Sequence, residues 1–293
     1  MARSATPDCI VRDRMVLGES PLWSPDQAAL YYVDIHGPAI HRFVPATGRR
    51  DSWAMPAAIG SIGRAAGGRL VAALADGLHL FDPATGALTS IVDPEPDKPA
   101  HRLNDGKVDR AGRFWVGSLC EPDYAAVGAL YRVGGDARVA RLLDGLRIPN
   151  ALCWSPDDRT MYFADSRERR LTAFDFDPAA GVPTNRREVA AVPDGLGSPD
   201  GATVDADGGI WSAHMFGGRI TRYMPDGRID RVIELPVRPV TSCCFGGADL
   251  RTLYITTATV GLDESALAQQ PLAGSLFAVD AGVQGLPEPV FGE

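Results

Sequence analysis

The sequence predicts an all-β fold, a six-bladed β-propeller with four-stranded blades around a central channel, and three observations carry that prediction. The first is turn content, since 32 Gly and 23 Pro in 293 residues exceed the usual share of about 12% for the two together. The second is an internal repeat whose units begin near residues 19, 61, 104, 150, 200 and 242, spaced 42 to 50 residues apart. That period suits a four-stranded sheet repeated about an axis. The third is the lack of long helical periodicity, with at most a turn of helix expected near Asp263–Ala268.

The elements of each unit follow in a fixed order. A small or polar start leads into an apolar run, as in Glu19-Ser20-Pro21-Leu22-Trp23, Asn150-Ala151-Leu152-Cys153-Trp154 and Thr241-Ser242-Cys243-Cys244-Phe245. A turn and a second strand come next, as in Gly112-Arg113-Phe114-Trp115-Val116 and Gly208-Gly209-Ile210-Trp211. A third strand then enters another turn, as in Leu78-His79-Leu80-Phe81 and Ile220-Thr221-Arg222-Tyr223. Pro-Ala-Thr-Gly at 45–48 and 83–86, Pro-Ala-Ala-Gly at 178–181 and Pro-Asp-Gly at 225–227 supply residues that preset φ or tolerate positive φ where hairpins reverse. The stretch Cys9–Arg12 is expected to add a strand to the last blade, closing the ring so that no long edge is left unpaired. No linker or low-complexity segment interrupts the repeats, so residues 1–293 read as one domain.

Composition narrows the class of partner. Hydrophobic residues at 45% and charged residues at 23% provide a sizeable core and exclude a disordered chain. A net charge of −8 without any basic run argues against nucleic acid. Without a secretory h-region at the start or 18 consecutive apolar residues anywhere, we expect a cytoplasmic protein with no membrane partner, a monomer or weak homo-oligomer. The five cysteines include the adjacent pair Cys243 and Cys244 and show no CxxC spacing, so they read as buried small hydrophobes, with Cys120 the one candidate reactive thiol.

In a propeller the first strand of each blade lines the channel, so equivalent starts gather around the axis. Glu19, Asn104, Asn150 and Asp200 occupy four of the six, with Ser61 and Ser242 near the other two. Asn and Asp also cap turns, but four in phase with the repeat bring carboxylates and amides together at a partly enclosed axis. There they would repel and be poorly solvated without a cation. An all-oxygen donor set favours Ca²⁺, with Mn²⁺ and Mg²⁺ close behind and Zn²⁺ less natural. The loops joining second to third strands, residues 34–37, 118–128, 165–169, 214–218 and 257–263, border the same face. His214 and Phe216 are candidate rim residues, whereas Trp23, Trp115, Trp154, Trp211 and Tyr254 read as packing between blades.

Gly18-Glu19-Ser20-Pro21, Arg102-Leu103-Asn104-Asp105-Gly106-Lys107-Val108-Asp109, Pro149-Asn150, Ser198-Pro199-Asp200-Gly201 and Thr241 to Gly247 together resemble the senescence-marker-protein/gluconolactonase family. The resemblance spans the chain in order. It implies a six-bladed propeller that binds one divalent cation in its channel and hydrolyses aldonolactones. It also implies that Glu19, Asn150 and Asp200 ligate the metal, while Arg102, Asn104 and Glu121 face the substrate. The loop from Leu119 to Gly128 reads as shorter than the family's, which implies a more open pocket rim.

The chemistry expected is hydrolysis of a small sugar lactone. The cation polarises the carbonyl and acidifies a water, and Asp200 is the candidate base beside it. Two other readings compete: phosphotriester (organophosphate) hydrolysis on the same metal site, and a non-catalytic calcium-binding or interaction propeller.

Overall fold

Each repeat unit folds into an antiparallel sheet, and the sheets stand around a channel as a six-bladed β-propeller. The structure, a computed structural model, describes residues 6–292; Met1–Ala5 and Glu293, parts of the predicted 1–293 unit, lie outside the described residues. From the channel outward, blade 1 comprises Gly18–Ser24, Ala29–Asp34, Ala39–Val44 and Arg49–Ala54. Blade 2 has Ile59–Ala65, Leu70–Leu74, Gly77–Asp82 and Ala87–Val92, and blade 3 His101–Val108, Phe114–Cys120, Gly128–Val133 and Val139–Leu146. Blade 4 has Pro149–Trp154, Thr160–Asp165, Arg170–Asp177 and Val182–Ala191, and blade 5 Ser198–Val204, Ile210–Met215, Arg219–Tyr223 and Ile229–Glu234. Blade 6 has Val240–Gly246, Thr252–Thr257 and Leu276–Asp280, and the N-terminal strand Asp8–Val11 supplies its outer edge.

One element has no counterpart in the repeat. After blade 6 the chain crosses the channel end away from the predicted site, and Val290–Phe291 pairs in parallel with Ile59–Ala65, giving blade 2 a fifth strand. The crossing is held by the Ala206 N–H donating to Gln284 O (2.8 Å) and by Arg64 Nη1 donating to Glu288 O (2.9 Å).

Alternating apolar residues on both faces of each sheet pack against the next blade, so one core cluster lies between every consecutive pair. The repeat tryptophans are the largest pieces of these clusters. Trp115 meets Trp154 across blades 3 and 4 at 5.7 Å, Trp23 stacks on Tyr254 across blades 1 and 6 at 5.8 Å, and Trp211 meets Phe245 edge-on across blades 5 and 6 at 5.9 Å.

The helix is Glu264–Gln269, with Asp263 as N-cap accepting the Ala266 N–H at 2.8 Å. Among the described residues no helix is long and apolar enough to cross a membrane. All five cysteines are unpaired. Desolvation and then Asp123 push the Cys120 thiol up, which disfavours the thiolate a reactive cysteine needs.

Candidate active site

The predicted starts converge. A cleft of about 360 Å³ opens at one end of the channel, and Glu19, Arg102, Asn104, Asn150 and Asp200 line it from the innermost strands. Each of the five loops the repeat predicted to border this face contributes to its wall, through residues that include His36, Tyr124, Arg167, Phe216 and Val260.

A regular strand would turn successive side chains to opposite faces. Here the pairing of every innermost strand with its neighbour shifts register beside the channel-facing residue. The shifts fall between Glu19 and Leu22, Leu103 and Gly106, Asn150 and Cys153, and Pro199 and Ala202, with equivalents in blades 2 and 6. Such bulges re-aim side chains. Ser20 and Ala151, immediately after Glu19 and Asn150, hold φ of 46° and 58°, a left-handed backbone uncommon outside glycine. Two carboxylates brace the approach to these residues. Asp34 accepts the N–H groups of Val16 (2.9 Å) and Leu17 (3.0 Å), and Asp165 those of Arg147 (2.8 Å) and Ile148 (3.1 Å).

A chain of hydrogen bonds runs across three blades. Arg102 Nε donates to Glu121 Oε1 (2.8 Å) and its Nη1 to Asn104 Oδ1 (2.6 Å). Asn104 Nδ2 donates to Pro149 O (2.9 Å) and to Asn150 Oδ1 (3.2 Å). Asn150 Nδ2 donates to Ser166 Oγ (2.8 Å), which in turn donates to Pro199 O (2.7 Å). With its nitrogen committed to Ser166, the Asn150 amide presents its oxygen on the opposite side.

Burial raises the pKa of Glu19 and Asp200 well above the carboxylate range. Asp200 and Asp105 push Glu19 further in that direction, and Asp105 pushes Asp200. Two buried carboxyls and an oriented amide oxygen form an all-oxygen set that fits a hard divalent cation. Among the described residues no three His, Cys, Asp or Glu side chains converge as a metal cluster, so a cation here would take the Asn150 oxygen as its third protein donor.

Residues 17–259 match the SMP-30/gluconolactonase/LRE-like region. The chain belongs to the SMP-30/gluconolactonase/LRE-like family. It is 34% identical to regucalcin of Xenopus laevis over 97% of each chain, and 38% identical to the 6-deoxy-6-sulfogluconolactonase of Pseudomonas putida over 98% of each. Its fold superposes on the solved structure of a calcium-binding regucalcin from Agrobacterium tumefaciens with a TM-score of 0.94, at 31% identity, covering 98% of this chain and 97% of the other.

Within this family member the predicted residues do not all stand where expected. Glu19, Arg102, Asn104, Asn150 and Asp200 line the cleft, and Glu121 stands beside it, against two of the lining residues. Its carboxylate holds Arg102 and lies 3.5 Å from His36 Nε2. Ser61 is fully buried and donates to Asn104 O at 2.7 Å, a structural bond between blades. Phe216 is a rim residue, with φ of 60°. His214 is not; it lies buried behind the wall, Nδ1 on Leu196 O at 2.9 Å and Nε2 on the Tyr223 hydroxyl at 3.3 Å. Sequence reasoning missed His36, Tyr124, Ser166 and Arg167. Their only signal was membership of loops that the repeat brings to this face.

Proposed function

We propose that this chain hydrolyses an aldono-1,4- or 1,5-lactone to the aldonic acid, using one divalent cation held by Glu19, Asn150 and Asp200. The observation that carries the reading is the meeting of two buried carboxyls and an oriented amide oxygen at the floor of an accessible cleft. The relatives support it, one being named a lactonase and a solved one being described as calcium-binding. Ca²⁺ suits the oxygen donors best, with Mn²⁺, Mg²⁺ and Zn²⁺ as alternatives.

When bound, the cation supplies Lewis-acid stabilisation of the oxyanion that develops on the lactone carbonyl. Asp200 accepts the proton of the water that attacks the carbonyl carbon. It returns that proton to the ring oxygen as the acyl–oxygen bond breaks, which leaves the aldonic acid and a restored carboxylate. Glu19 and Asn150 hold the charge at the floor, the amide kept in orientation by Ser166. Arg102 has Nε and Nη1 committed to Glu121, Leu103 and Asn104, leaving Nη2 to donate to a substrate oxygen. Asn104 lines the cleft beside it and braces the guanidinium from one side, Glu121 from the other.

The test is a pH-indicator screen of a lactone panel against metal-stripped protein, repeated with each divalent ion and with a paraoxon-like phosphotriester in the panel. Cation-dependent acid release from a lactone is expected. Release that survives exhaustive chelation would remove the cation from the reaction, and phosphotriester turnover far above every lactone would move the chemistry to phosphorus. Cation binding without turnover of any compound would leave a non-catalytic binding propeller.

A further inference from the structure

We propose that Arg167 receives a negative charge on the substrate, so that the lactone taken here carries a phosphate, sulfonate or carboxylate at the end remote from its carbonyl. The inference rests on the lactone reading and names its substrate class.

Arg167 stands on the loop between the second and third strands of blade 4, in the wall of the cleft. Its backbone is fixed by its N–H donating to Asp165 Oδ1 at 3.1 Å, and the residue before it, Ser166, is the one that orients Asn150. The rim cation is therefore tied to the floor through adjacent residues. Its guanidinium lies 5.3 Å above the ring of Tyr124, which faces it from the blade 3 loop and also lines the cleft. Tyr124 is held at a φ of 51°, strained for an aromatic residue, with its N–H on Cys120 O at 2.9 Å.

Among the described residues the guanidinium of Arg167 has no hydrogen-bond acceptor and no ion-pair carboxylate, the contact it does make being with the Tyr124 ring. Its chain neighbours are all engaged, Glu168 with Arg186, Arg169 with Asp194 and Arg170 with Glu188. Within the cleft, Arg102 is matched by Glu121, and a divalent cation would match Glu19 and Asp200. That leaves Arg167 as the uncompensated charge among the cleft-lining residues, in a chain whose net charge is −8. A guanidinium held over an aromatic face by a cation–π contact spends none of its N–H groups on that contact, which leaves them to bond an anion. A lactone whose carbonyl sits at the floor directs its far end to the rim. A neutral lactone would leave this fork to water, and an anionic one would fill it.

The alternative role for Arg167 is to stabilise the developing oxyanion or the product carboxylate, which would act on all lactones alike. The experiment measures kcat/KM of the cation-loaded protein on glucono-1,5-lactone and on its 6-phosphate. The wild type is expected to favour the phosphate by about 10-fold, the lower range for a charged hydrogen bond at a solvent-exposed rim. Arg167→Gln should lower that ratio by about the same factor, Arg167→Lys should keep part of it as a point charge without the fork, and added salt should compress it. A wild-type ratio at or below one, or a Gln variant that slows both substrates equally, would overturn the proposal. Calorimetric binding of gluconate and 6-phosphogluconate reads the same charge without turnover. An Arg167-dependent advantage for the phosphorylated acid would sustain the inference even if no lactone were hydrolysed, and equal affinities would overturn it. A 6-sulfonate and a glucaric lactone in the same assay rank the three anions.

Discussion

At the cleft end of the channel Glu19 and Asp200 lie buried, and among the described residues the cation acting on both is Arg102, whose guanidinium already serves Glu121 and Asn104. At the opposite end the Lys107 ammonium lies 3.3 Å from the Glu288 carboxylate and donates to Ala202 O, covered by the tail that follows blade 6. Burial works against that ammonium, but Glu288 and then weaker neighbours outweigh it and hold its pKa above the usual lysine value. Asp105 stands between the ends, accepts the Leu152 N–H at 3.1 Å and has its own pKa raised by desolvation. Where the channel is closed the chain supplies its own counter-ion, and where it is open the proposed cation would supply the matching charge. Substitutions at the two ends should therefore move stability in opposite directions.

The largest effect is expected from Asp200→Asn, which keeps the shape and removes both a charge and the proposed base. Turnover should fall about 10³-fold, within the range for loss of a general base. The cation-free variant should be more stable than the cation-free wild type, by about 1 kcal/mol, because a buried carboxylate facing Glu19 and Asp105 is gone. Added Ca²⁺ should raise its melting temperature less than it raises that of the wild type. Thermal melts with and without the ion check both statements, and a cation-free variant melting below the wild type would contradict the repulsion between the buried carboxyls.

The cleft end was legible because the repeat fixes phase: once Glu19, Asn104, Asn150 and Asp200 occupy equivalent positions, radial symmetry brings them together whatever the loops do. Asp105 and Lys107 were not, for a specific reason. Strand alternation would turn Asp105 away from the channel if Asn104 faced it, but the register shift between Leu103 and Gly106 lets both contribute to the axis. Glu288 lies on a tail with no counterpart in the repeat, so no periodic argument reaches it. The loop residues Tyr124 and Arg167 share a face by topology alone, and their contact depends on a left-handed backbone that composition does not announce.

Glu288→Gln probes the closed end. It removes the nearest counter-charge from the partly buried Lys107, and unfolding free energy should fall by about 2 kcal/mol, below the scale for breaking a fully buried pair. Lys107→Met combined with Glu288→Gln should recover most of that loss, because the cost lies in the stranded charge and not in the absence of the pair. Denaturant titration of the three variants measures this. A double variant as unstable as the single one would mean that the tail is held by its backbone bonds and not by the ion pair.

The smallest effect separates residues that merely stand at the cleft end from those that await a ligand there. His214 has both ring nitrogens satisfied within the protein, and desolvation lowers its pKa from 6.5 to about 4. A native pKa below the unfolded one means that the unfolded chain binds the extra proton, so this contribution to stability is intact above pH 6.5 and shrinks as pH falls toward 4. Between pH 6.5 and pH 5 the loss should be about 2 kcal/mol. His214→Gln, less stable at neutral pH, should show a flatter dependence over that window. Because neither partner of His214 belongs to the proposed cation site, the difference in slope between variant and wild type should be the same with and without Ca²⁺. A slope difference that appeared only in one of those conditions would tie His214 to the ligand-binding end of the channel after all.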